Sequence, residues 1–83
     1  MTTQISPVVG IVGPYDMIDP VTSLVKTSQA MHTLALPYSH ESEAPDLVKA
    51  NQESVDAWLF TGVVPYSLAE DHGLLRGVPS TYV

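Results

Sequence analysis

The sequence has no cysteine, so it can build neither a disulfide framework nor a thiolate metal site. Permanent positive charge is nearly as scarce. Lys26, Lys49 and Arg76 are the only such residues among 83, against nine acidic ones, for a net charge of −6. Three scattered cations cannot neutralise a track of phosphates, which argues against nucleic-acid binding by this segment. The acidic excess is solubilising. No apolar run approaches the roughly 20 residues needed to cross a bilayer. The first residues, Met1 to Pro7, carry neither the basic residues nor the apolar stretch of a signal peptide. With the lack of cysteine, this predicts a soluble cytoplasmic protein without membrane contact.

Several site types are missing as well. Neither H-x-x-x-H nor H-E-x-x-H occurs among His32, His40 and His72, so no metal site is expected. Neither lysine follows a glycine, which rules out a Walker A loop. Gly10 and Gly13 form G-x-x-G with Pro14 behind, not the G-x-G-x-x-G of a dinucleotide site, so no cofactor is expected. Gly10 falls inside a strand pattern, where glycine commonly permits close packing.

What is present is an alternating pattern. Val8 to Val12 is a continuous, β-branched run of the kind that is buried on both faces. Ile18, Val21, Leu24 and Val25 then mark a helix over about 16–29, with Asp16 or Asp19 as cap; with Asp19, Pro20 would take the first helical position. Met31 to Leu36 reads as a second strand ending at Pro37, and Ser42 to Ser54 as a second helix. Val55 to Phe60 is a third strand, and Pro65 to His72 a short third helix with Gly73 as its left-handed cap. Pro79 to Val83 is a fourth strand. The order β-α-β-α-β-α-β predicts a three-layer, Rossmann-like or flavodoxin-like α/β fold. We expect one domain or domain fragment over 1–83, with a four-stranded parallel sheet ordered 2-1-3-4 that is incomplete as it stands.

Pro-Tyr occurs three times, at Pro14-Tyr15, Pro37-Tyr38 and Pro65-Tyr66, each after an apolar run. The pattern places all three in loops between a strand and its helix. Those loops share the carboxyl edge of a parallel sheet, where ligands bind at the point of reversing strand order. The expected ligand contacts are therefore Gly13, Tyr15, Asp16, Tyr38, His40, Thr61, Gly62 and Tyr66. A tyrosine offers a rigid ring and a hydroxyl. Thr61-Gly62, before a helix start, offers free N–H groups suited to a carboxylate or phosphate. His40 and Asp16 could form an acid–base pair across neighbouring loops. A phosphoacceptor receiver domain would need carboxylates where Gly13-Pro14 and Thr61-Gly62 stand, so that class is excluded.

The stretches "VVGIVGPYD", "VDAWLFTGVVPY" and "AEDHGLLRGVPSTYV" resemble the sensor domains of bacterial transcription regulators built like periplasmic binding proteins, including the propionate-regulator type. The resemblance implies a small-molecule effector site near Tyr15, Thr61, Gly62 and Tyr66, with DNA binding left to another segment. The expected function is thus an effector-sensing lobe of a regulatory protein. The alternatives are a small α/β enzyme using His40 and Asp16, and a dimerisation module without ligand.

Three structural expectations follow from the strand order. Asp56 should lie at the exposed amino edge, and Trp58 should be buried beneath a helix. Right-handed crossovers place the first helix alone on one face, where it covers about two of the four strands. Strands three and four would keep an apolar face bare, with Leu59, Trp58 or Phe60 on it. This predicts a homodimer built on strands three and four, or cover from the remainder of a larger chain.

Overall fold

The computed structural model describes residues 7–26 and 32–83. Four strands, β1 (Val8–Pro14), β2 (His32–Tyr38), β3 (Ala57–Phe60) and β4 (Ser80–Tyr82), alternate with α1 (Tyr15–Lys26), α2 (Ala44–Asn51) and α3 (Val63–Asp71). Single 3-10 turns, Glu41–Glu43 and Gln52–Ser54, flank α2. The sheet runs β2-β1-β3-β4 with every pair parallel, as the crossover rule requires. β1, the most apolar strand, is central.

Two hydrophobic clusters hold the three layers together. On one face Val9 and Ile11 of β1 meet Ile18 and Val21 of α1, with Leu59 packed alongside. On the other, Val12, Tyr38, Trp58 and Phe60 meet Val48 of α2 and Ala69 of α3. α1 packs on β1 and β2. Above β3 and β4 the same face holds an open apolar hollow of about 380 Å³, floored by Ala57, Leu59, Pro79 and Thr81. Leu59 is therefore the residue turned to the sparsely covered face, while Trp58 and Phe60 turn to the α2–α3 layer.

The expected ends of the elements hold in places and shift in others. Asp56 is exposed at the amino edge and clasps β1: its N–H donates to the Val8 carbonyl, and its carboxylate accepts from the Val8 N–H, both at 2.8 Å. α3 closes on Gly73 at φ +70°, with Gly73 N–H donating to Glu70 O and Leu74 N–H to Ala69 O, which is the Schellman pattern. Pro20 does not open α1. The helix starts at Tyr15, straight off β1, and Pro20 lies inside it. Ile18 and Val21 are both buried against the sheet, while Pro20 sits on the exposed side. Burial of that pair outweighs one lost helical bond. The expected end of α1 at 29 and the start of β2 at Met31 lie outside the described residues, as do the side chains of Leu24 and Val25. α3 begins two residues before Pro65, whose ring falls in the first turn where no N–H is needed.

Candidate functional site

Because β1 lies between β2 and β3, the chain leaves β1 toward one side and returns on the other. The switch point is therefore the carboxyl ends of β1 and β3. Gly13 and Thr61 meet there so closely that a Cβ on Gly13 would collide with the Thr61 side chain. Thr61 N–H donates to the Val12 carbonyl at 3.0 Å, tying the two ends together. The Thr61 hydroxyl oxygen is enclosed and meets no hydrogen-bond partner among the described residues. Gly62 follows at φ +137° and ψ 155°, a conformation open essentially to glycine alone. It starts α3 without a side-chain cap, so the first-turn N–H groups of Val63 and Val64 have no helical acceptor.

The three Pro-Tyr pairs do not all lie in loops. Pro14-Tyr15 spans the junction of β1 and α1, Pro37-Tyr38 is inside β2, and Pro65-Tyr66 is inside α3. Tyr15 is 65% exposed at the edge, whereas Tyr38 is buried in the core with Val12 and Phe60. Tyr66 packs edge-on to Phe60 at 5.7 Å and against Tyr82 at 5.0 Å. Asp16 is exposed in the first turn of α1. His40 is occupied: its Nδ1 lies 2.9 Å from Ser42 Oγ and accepts from Ser42 N–H at 3.3 Å, while Glu43 Oε2 accepts from His40 N–H at 2.9 Å. This is a capping box that starts the turn before α2. Among the described residues no contact joins His40 to Asp16.

The sequence pattern missed a second group at this edge. The large apolar side chains exposed among the described residues are Tyr15, Met17, Val63, Val64, Tyr82 and Val83. All belong to the first turns of α1 and α3 or to the carboxyl end of β4. The available signal was the apolar doublet Val63-Val64 at a helix start, where polar caps are usual. No group of acidic or histidine side chains able to hold a metal occurs among the described residues. No helix among them is long and apolar enough to cross a membrane.

Two of the tyrosines are held protonated beyond the ordinary phenol value of 10.0. Tyr66 donates to Glu70 Oε2 at 3.2 Å, and that bond, with the carboxylate's charge, raises its pKa. Burial raises that of Tyr38, helped by the charge of Glu41. A group whose pKa is raised by folding adds stability in full below its unfolded value and loses it as pH climbs through the folded value. Stability should therefore fall above about pH 10. Tyr66→Phe should flatten that alkaline limb, read as urea midpoints across the same range. Parallel limbs in the two proteins would show that Tyr66 contributes none of it.

No protein family model, curated protein or solved structure gives a significant match to this chain.

Proposed function

We propose that the chain is a small-molecule-binding lobe of a regulatory protein, with its effector held at the carboxyl edge in the crevice between the ends of β1 and β3. One observation carries the proposal. The large apolar side chains left exposed among the described residues gather at that edge, around the switch point, rather than being scattered. Exposed apolar groups collected in one place mark a binding surface. The uncapped start of α3 supplies the polar counterpart, two N–H groups aimed away from the helix. An effector with an apolar body and one carboxylate or phosphate matches the pair. DNA binding and output fall to another segment, since this one has three cations against nine acidic residues.

The enzymatic alternative gains nothing here, because no contact joins His40 to Asp16 among the described residues. A small set of aromatic and branched-chain carboxylates, with inorganic phosphate, serves as the probe. Amide spectra should respond at Gly13, Tyr15 and 61–64. Val63→Ser with Val64→Ser should weaken the best binder about tenfold, a loss of about 1.4 kcal/mol. Responses confined to the hollow above β3 and β4, or none with any probe, would overturn the proposal.

A further inference from the structure

We propose that the β4 edge joins two copies of this chain, as an antiparallel β4–β4 pair about a two-fold axis through Thr81. The sheet has two edges, and they are built differently. On β2, His32 N–H donates to the Pro7 carbonyl at 2.9 Å. By alternation, His32, Leu34, Leu36 and Tyr38 turn their backbone groups to β1, and Thr33, Ala35 and Pro37 turn theirs outward. Pro37 has no N–H to offer there. A proline at such a position blunts an edge against pairing.

β4 carries no such guard. The Pro79 carbonyl accepts from Trp58 N–H at 2.9 Å, and Val83 N–H donates to the Phe60 carbonyl at 3.0 Å. Odd-numbered residues thus face β3. Ser80 and Tyr82 hold their N–H and C=O groups outward, with no backbone partner among the described residues. No lysine, arginine, histidine or carboxylate side chain lies between Val78 and Val83, in a chain whose net charge is −6.

This edge is complementary to itself. With Thr81 on the axis, Ser80 opposes the partner's Tyr82, and each couple exchanges two N–H···O bonds. Every outward backbone group of Ser80 and Tyr82 is then satisfied. The two acidic copies meet along a stretch that carries no charged side chain, so side-chain repulsion is least there. The contact is isologous and closes at two copies, leaving as free edges only the two β2 strands that Pro37 guards. It also brings the apolar hollow of each copy beside that of its mate, because Thr81 floors both.

The lack of cysteine makes the test clean. Thr81→Cys places one thiol on the axis, where a non-hydrogen-bonded pair brings Cα atoms to about 4.5 Å, within disulfide reach. Mild oxidation should convert most of it to a covalent dimer. Ala35→Cys, exposed on the guarded β2 edge, should stay monomeric under the same treatment. The unsubstituted chain should sediment near 18 kDa, twice the 8.9 kDa of one copy. Thr81→Lys, which sets two ammonium groups side by side, should move it toward the monomer with circular dichroism unchanged. A single-copy mass for the unsubstituted chain at high micromolar concentration would overturn the proposal. So would equal crosslinking of the two cysteine variants, or a Thr81→Lys protein with unaltered mass.

Discussion

Trp58→Ala is expected to cost about 3–5 kcal/mol of unfolding free energy. The ring is 2% exposed and stacks on Phe60 at a centroid distance of 6.3 Å. It fills the space between β3 and the α2–α3 layer, in one cluster with Val12, Val48, Val55 and Ala69. Its loss would leave a void in the middle of that cluster. Domains of this size have about 5–15 kcal/mol in hand, so the variant should melt at a much lower temperature and unfold at low urea. A loss under about 1 kcal/mol would place the ring outside the core.

Gly10→Ala should be nearly as damaging, although it adds one methyl group. An ideal Cβ at Gly10 would stand 2.6 Å from Cζ3 and 2.7 Å from Cε3 of Trp58, and 3.1 Å from Cγ1 of Val55. The indole is rigid and backed by the core, so it cannot step aside. The strand cannot retreat either, because β1 is bonded to β2 on one side and to β3 on the other. Overpacking usually costs about 1–3 kcal/mol, and this site should reach the upper end. The two substitutions should also be coupled. Once Trp58→Ala has emptied the space, Gly10→Ala meets no ring, and its cost should largely vanish. Urea unfolding of the four proteins gives the coupling, expected to be about 2 kcal/mol. Equal costs of Gly10→Ala in both backgrounds would show that the ring is not what the methyl group meets.

The sheet order and the packing of Gly10 were legible because both rest on strong, local signals. A β-branched run without charge has only one comfortable place in a parallel sheet, and that is the middle. A glycine inside such a run has few uses other than close approach. The Pro-Tyr pairs were misread because proline was taken as the end of a strand. Pro37 ends nothing: it sits where the edge needs no donor, and β2 runs on to Tyr38. The alternation of Leu34, Leu36 and Tyr38 against Thr33, Ala35 and Pro37 already placed that tyrosine on the inner face. Pro65 likewise occupies a helix turn that has no acceptor for it. His40 was obscure for another reason. Histidine is an unusual N-cap, so the His40–Glu43 spacing did not stand out as a capping box. Pro20 was placed by the preference of proline for a helix start, which tertiary burial of Ile18 and Val21 overrode.

The central place of β1 also has a kinetic side. Synthesis delivers its Val8 to Val12 run first, yet both of its partners come much later, at His32–Tyr38 and Ala57–Phe60. Until they arrive, a strand that will end up hidden on both faces and both sides is unpaired. No hairpin can shelter it, because every neighbour in this sheet is reached through a crossover. Folding must close these long loops before any strand pairing is gained, which makes it slow for so short a chain. During that wait the uncharged, β-branched segment is the part most prone to pair with its like on another nascent chain.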